Sequence, residues 1–226
     1  MKNRYTNPDF KGSGRITPAM PVVKAVVVLF YVVGFTGLLI PYSHSFFLTL
    51  FPFFLLLNAF VLGFTHAGTK SPKALVIFLL ILLLGFLVEA IGVKTGMIFG
   101  NYHYGDSLGL KIADTPVVIG LNWLMLVYLT SGILERSRLS MVLQIVLASG
   151  MMLIYDLVLE QVAPKTGMWY WENGHAPVQN YVAWFALSVI FHSILKLAGT
   201  RTSNPLTTVI FICQFLFFLF LLIFLP

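Results

Sequence analysis

The sequence predicts an all-α fold: a polytopic membrane helix bundle of seven transmembrane helices, with spans 3–4 and 5–6 as parallel copies of one hairpin. Three observations predict it. Hydrophobic residues make up 58% of the 226 positions and charged residues 10%, with a mean hydropathy of +0.91. A soluble domain carries about a quarter charged residues, so the polar surface that a water-soluble particle of this size needs is missing. Apolar runs that can cross a bilayer core, about 20 residues each as helix, recur along the chain. The segment Glu89–Met97 also returns as Glu160–Met168, at an offset of 71.

The apolar runs occupy 22–40, 46–64, 74–93, 116–134, 139–159, 179–198 and 205–226. Turn-forming stretches separate them, such as Pro41-Tyr42-Ser43, Gly68-Thr69-Lys70-Ser71-Pro72, Glu135-Arg136-Ser137-Arg138 and Thr202-Ser203-Asn204-Pro205. The runs must be helices, because hydrocarbon leaves backbone amides no other partner and the runs are too long for barrel strands. Residues 1–21 read as a basic cytoplasmic arm and residues 22–226 as a single transmembrane domain. The basic N-terminus resembles the start of a signal peptide. The apolar stretch Val22–Ile40 is long and no small-residue cleavage site follows it, so it reads as the first span.

Seven spans sort the basic residues by side. Lys2, Arg4, Lys11, Arg15, Lys24, Lys70, Lys73, Arg136, Arg138, Lys196 and Arg201 fall on one side, and Lys94, Lys111 and Lys165 on the other. This bias predicts a cytoplasmic N-terminus and an outer C-terminus, in a cytoplasmic membrane of bacterial or archaeal type. The formal charge of +6 is thus a topology signal, and no nucleic-acid partner is expected. The single cysteine, Cys213, lies in an apolar run and excludes an internal disulfide and a cysteine metal site.

The two copies share more than their glutamates. One reads Glu89-Ala-Ile-Gly-Val-Lys94-Thr95-Gly96-Met97, the other Glu160-Gln-Val-Ala-Pro-Lys165-Thr166-Gly167-Met168. Phe99, Tyr102 and Tyr104 follow the first, and Trp169, Tyr170 and Trp171 the second. Each copy then reaches a proline, an asparagine and a tryptophan: Pro116, Asn122 and Trp123, then Pro177, Asn180 and Trp184. Membrane proteins built from repeats often place their site between them.

Carboxylates inside spans are the sharpest chemical signal. Glu89 sits about five residues before the end of span 3, roughly 7 Å below the surface at 1.5 Å per residue. Glu160 is equivalent on span 5, and Asp156 lies one turn deeper on the same face. An acid in the membrane is costly, so a functional role is the default reading. Two neighbouring carboxylates in low dielectric cannot both ionise cheaply, and one that keeps its proton can donate it. The alternative is that the acids pair with Lys94 and Lys165 at the interface.

The aromatic and amide residues have two readings each. Trp123, Trp169, Trp171 and Trp184 form either an interfacial belt or, with Tyr102 and Tyr104, a π-rich wall able to stabilise a carbocation. Asn122 and Asn180 either orient a water or carboxylate or bond to backbone near a helix start. His103, between Tyr102 and Tyr104 in the first loop, is the one histidine to consider for the chemistry, and its other reading is a surface-loop residue. His44, His66, His103, His175 and His192 are dispersed and lack the clustering of membrane di-iron oxygenases. No phosphate-binding glycine loop or acyl-serine motif occurs in a usable context. Span 7 holds no lysine, which rules out a retinal Schiff base there.

Taken together, Glu89-Ala-Ile-Gly-Val-Lys-Thr-Gly, Phe99-Gly100-Asn101-Tyr102-His103-Tyr104, Asp156-Leu-Val-Leu-Glu160, Trp169-Tyr-Trp171-Glu172 and Asn180-Tyr-Val-Ala-Trp184-Phe185 resemble the carotenoid biosynthesis membrane protein family. That family includes the carotenoid 1,2-hydratases, among them the bisanhydrobacterioruberin hydratase type. The resemblance is strongest over roughly residues 80–190. The family usually shows Asp-x-x-x-Asp-Pro, where this chain has Glu160 followed by Gln161, which leaves the proton donor within the pair open.

The resemblance implies addition of water to the terminal C1=C2 double bond of an acyclic ψ-end carotenoid through a tertiary carbocation. Such a hydratase needs no redox cofactor and no metal. Asp156 or Glu160 would be the acid and Glu89 its partner. The aromatics, Asn122, Asn180 and His103 would contact substrate. The implied partners are a lipophilic polyene, water, the lipid bilayer and other carotenoid biosynthesis enzymes. Two other readings stay open at this point: an end-group cyclase using the same cation, and a non-enzymatic transporter or carotenoid-binding protein.

Overall fold

In the computed structural model the structure describes residues 20–225, so most of the basic arm, residues 1–19, lies outside the described residues. The described residues form eight α-helices and four short strands. The order is α1 (Met20–Leu39), α2 (Pro41–Thr49), α3 (Phe51–Phe64), α4 (Pro72–Thr95), β1 (Tyr102–Tyr104), β2 (Lys111–Ile112), β3 (Thr115–Pro116), α5 (Val118–Leu134), α6 (Met141–Val162), β4 (Trp169–Trp171), α7 (Val178–Leu197) and α8 (Thr207–Phe224).

Five of these helices, α1, α4, α6, α7 and α8, are long and apolar enough to cross a membrane, and α2 with α3 makes a sixth if the bent pair is one span. Their outward faces carry large apolar side chains such as Leu29, Phe60, Leu83, Val142 and Ile223. Lipid is the environment in which such faces are satisfied. The chain is an integral membrane protein.

The expected second span, 46–64, needs correction. It is two helices meeting at 57°, and the first begins at Pro41. Pro52 stands in the first turn of α3. A proline there has no N–H to give to the preceding turn, and its ring clashes with the carbonyl four residues back, so a continuous helix breaks.

The expected fourth span is α5, which has 17 residues and is about 26 Å long. It packs against α3, α4, α6, α7 and α8 and buries an unbroken run from Met125 to Ser131. A helix sheathed by other helices need not match the lipid thickness by itself. Its most extensive packing is on α4, where a Cβ placed on Gly85 would stand 2.7 Å from the Cβ of Trp123. Small residues at such crossings let backbones come together, and here this brings Trp123 up beside Glu89.

The helices form two principal hairpins, α4 against α5 and α6 against α7. Gly96 ends α4 and Gly167 ends the helical turn after α6, both left-handed, with φ of +66° and +65°. Glycine adopts this conformation at no steric cost, which explains the Lys-Thr-Gly that closes both copies. The chain then enters β1 and β4, which pair antiparallel with Tyr102 opposite Trp171, His103 opposite Tyr170 and Tyr104 opposite Trp169. This strand pair joins the two hairpins at one end of the bundle.

The opposite end is tied by different residues. Asn204 donates to the Leu62 carbonyl and to the Tyr128 hydroxyl, and Thr202 N–H donates to Glu135. Lys196 reaches Gln144 at the same end.

Candidate active site

The two long loops bring two glutamates to the inside of the strand pair. Glu89, near the end of α4, is buried and receives three donors. Tyr102 and Tyr104 hydroxyls donate to Oε2 at 2.6 and 2.8 Å, and Trp123 Nε1 donates to Oε1 at 2.9 Å. Glu160, near the end of α6, is held the same way. Trp169 and Trp171 Nε1 donate to its Oε2 at 3.0 and 2.6 Å, and Asn180 Nδ2 donates to its Oε1 at 3.1 Å. In each case a strand supplies two donors two residues apart and the following helix supplies the third.

Strand periodicity explains the choice of residues. Side chains alternate faces along a strand, so Tyr102 and Tyr104 point inward, as do Trp169 and Trp171, while the middle residues point out. Burial first, and then the neighbouring Glu89, raise the Tyr102 and Tyr104 hydroxyls far above the ordinary tyrosine range. Both therefore stay protonated and remain donors.

Asp156 is fully buried one turn below Glu160. The two acids share one amide: Asn180 Nδ2 donates to Asp156 Oδ2 at 3.1 Å as well as to Glu160. Asp156 Oδ1 has no partner among the described residues. The predicted shared face of Asp156 and Glu160 is thus present in the fold.

The lysine-pairing alternative does not describe these acids. Lys165 Nζ donates to the Leu225 carbonyl at 2.9 Å. Among the described residues the ion pairs are Lys111–Asp106 and Arg201–Glu135, and neither includes Glu89, Asp156 or Glu160.

Glu89 and Glu160 line one small cavity together with Tyr102, Trp171 and Trp184. It encloses about 10 Å³, close to the least space that holds one water. Trp184 stacks on Trp123 with centroids 4.1 Å apart and planes 22° apart, and Tyr102 lies 5.0 Å from Trp171. All four tryptophans are buried, so they wall the interior and do not form an outward belt.

An apolar cavity of about 60 Å³ adjoins the small one, with Ile119 and Trp169 lining both. Its wall includes Phe54, Leu159 and Phe217. Asn122 lines this cavity and bonds to neither acid, so its expected equivalence with Asn180 does not extend to the carboxylates. The two amides project from different turns of their helices: Asn180 lies in the first turn of α7, Asn122 in the second turn of α5.

His103 does not belong to the site. As the middle residue of β1 it is exposed and stacks on Tyr170 at 5.4 Å. The alternation that turns its neighbours inward turns it outward. Among the described residues no three His, Cys, Asp or Glu side chains gather in a way that could hold a metal ion.

Sequence reading missed Gln214, Asn58, Tyr31 and Tyr155, all in the wall of the apolar cavity. A signal existed for two of them. Gln214 and Asn58 are each the one amide in their helix, set in an apolar run, and a polar group inside a span is rarely incidental. Tyr31 and Tyr155 carried no comparable mark among the many aromatics.

A family model described as "Carotenoid biosynthesis protein" matches residues 22–225. The chain is also 28% identical over 195 residues to the bisanhydrobacterioruberin hydratase of Haloarcula japonica, covering 81% of this chain. It spans 61% of the length of that curated relative. No solved structure matches.

Proposed function

Because the chain belongs to the carotenoid biosynthesis protein family, we propose that it adds water across the terminal C1=C2 double bond of an acyclic ψ-end carotenoid, leaving a tertiary 1-hydroxy end group. The name of the Haloarcula japonica relative supports a hydratase. The observation that carries the reading is the pair Glu89 and Glu160 lining one water-sized cavity, beside an apolar one, with no cation paired to either among the described residues.

Acid-catalysed hydration has three needs, and each has a candidate here. The first is a proton for C2. Asp156 and Glu160 share the Asn180 amide, and two adjacent buried carboxylates are most cheaply held with one proton between them. Glu160 faces the cavity and delivers the proton; Asp156 lies behind it and holds the reserve. The second need is shelter for the cation at C1, which the indole and phenol faces provide electrostatically. The third is a water with a base. Water in the small cavity attacks C1 and loses a proton to Glu89, and proton return from Glu89 to Glu160 across the cavity restores the start.

Every atom is accounted for by alkene plus water, so the reaction needs no redox cofactor. End-group cyclisation would require the same cation to be kept dry, and a water-sized space between two carboxylates argues for hydration instead. In this reading α5 and the bent α2–α3 pair complete seven crossings, and the strand pair lies at the outer face with the N-terminus cytoplasmic.

The test is to produce the protein in a host that accumulates an acyclic carotenoid and to analyse the pigments by chromatography and mass spectrometry. A product heavier by one water is expected. A cyclic isomer of unchanged mass, or an unchanged pigment profile, would overturn the reading.

A further inference from the structure

The apolar cavity carries polar groups that the proposed chemistry does not use. Asn122 on α5 and Gln214 on α8 both line it. Their exposures are 9% and 6%. Asn58, on the same wall, is engaged at both its oxygen and its nitrogen: it accepts from the Tyr31 hydroxyl and donates to the Phe54 carbonyl. The other two amides are not. Gln214 Oε1 has no partner, and the Asn122 side chain makes no hydrogen bond among the described residues. The Tyr155 hydroxyl stands beside Gln214 in the same wall.

A buried polar atom left unpaired is costly, so the Gln214 oxygen calls for a partner from outside the chain, and the Asn122 amide in the same wall is free to share it. The wall around them is hydrocarbon: Phe54, Leu159, Phe217 and Phe218. A cavity lined this way is a poor home for a cluster of waters, which need two to four polar partners apiece. About 60 Å³ takes in only the end of a chain, and a tertiary alcohol with its methyl groups suits both parts of the wall. A hydroxyl oxygen accepts from one amide N–H and donates to the other amide's carbonyl.

We propose that this cavity is a binding site for the hydroxylated end of an isoprenoid, its hydroxyl held between Asn122 and Gln214 and its methyl groups against the phenylalanines. The oxygenated end is the recognised group, on the substrate or on the alcohol formed. It rests on the hydratase reading for the identity of the polyene, but not for the binding itself. Ile119 and Trp169, shared between the two cavities, place the site next to the glutamates.

A matched pair of saturated probes tests it without turnover: 2,6-dimethyloctan-2-ol and 2,6-dimethyloctane, titrated into the full chain in lipid nanodiscs. Binding is read by thermal shift and by ligand-observed NMR. The alcohol should bind about tenfold more tightly than the alkane, the worth of a satisfied buried hydrogen bond. Gln214→Leu, similar in volume and apolar, should erase that preference while leaving alkane binding in place. Asn122→Leu should do the same, so one variant that fails to fold leaves the other to decide. Equal binding of alcohol and alkane to the wild type, as for a cavity that takes only water, would overturn the proposal, as would a preference that survives both substitutions. Glu160→Gln separates the two readings, since it should abolish hydration and keep the alcohol preference.

Discussion

Tyr102 of β1 lies directly opposite Trp171 of β4, and each donates a 2.6 Å hydrogen bond to a different glutamate, Tyr102 to Glu89 and Trp171 to Glu160. One antiparallel register therefore sets the position of both acids. A slip by one residue would turn every inward donor outward, so strand pairing at the end of the bundle is part of the site.

Removing one donor from this arrangement should cost stability before chemistry. Tyr102→Phe leaves Glu89 Oε2 with Tyr104 alone and should destabilise the protein by about 1–3 kcal/mol. Thermal unfolding in detergent measures it. Trp171→Phe should behave alike at Glu160. A variant as stable as the wild type at both positions would show that these bonds contribute little.

Replacing the acids themselves should separate folding from activity. Glu160→Gln and Glu89→Gln keep shape and hydrogen-bonding capacity, and each should lower hydration about 100-fold or more, the usual worth of a positioned acid or base. Asp156→Asn, one step behind the cavity, should lower it less. Pigment analysis at matched protein levels gives the order, and full activity in Glu160→Gln would remove that residue from the proposed role.

Asn180 holds both acids of α6 with one amide. Asn180→Leu leaves that pair without its shared donor and should reduce activity at least about tenfold, with a smaller effect on expression. The comparison variant is Gln179→Leu, one position away, where the side chain is exposed and donates to the Met97 carbonyl. It should retain near wild-type activity.

His103→Ala should leave product yield and stability unchanged, because the side chain is on the outer face of β1. Surface changes of this kind usually stay within about 0.5 kcal/mol. A large loss of activity would place the histidine in the chemistry after all.

Gly85→Ala tests the α4–α5 crossing. The added methyl would stand 2.7 Å from the Trp123 Cβ, and neither helix can yield without moving Trp123 away from Glu89. Overpacking of this type costs about 1–3 kcal/mol. The variant should show a lowered unfolding temperature together with reduced hydration.

Much of this protein could be read directly from the order of residues. Hydrophobic runs specify helices in lipid because backbone groups there have no alternative partner. The recurring Glu, Lys-Thr-Gly and aromatic pattern marked Glu89, Glu160 and their donors, because two hairpins with like ends need like residues. The i, i+4 spacing by itself puts Asp156 and Glu160 on one face. What the order of residues did not determine was which side of a local element each side chain would take. His103 and Tyr102 are neighbours in sequence and opposite in role, and only the β1–β4 pairing decides which is inside. Asn122 and Asn180 occupy matching stretches, yet a difference of one helical turn sends one to the acids and the other to the apolar cavity. The kink at Pro52, the burial of the short α5 and the gathering of Asn58, Asn122 and Gln214 from three separate helices were likewise decided by packing. Local pattern records the solvent each segment needs, whereas a cavity is made by surfaces distant in sequence that meet only when the chain is folded.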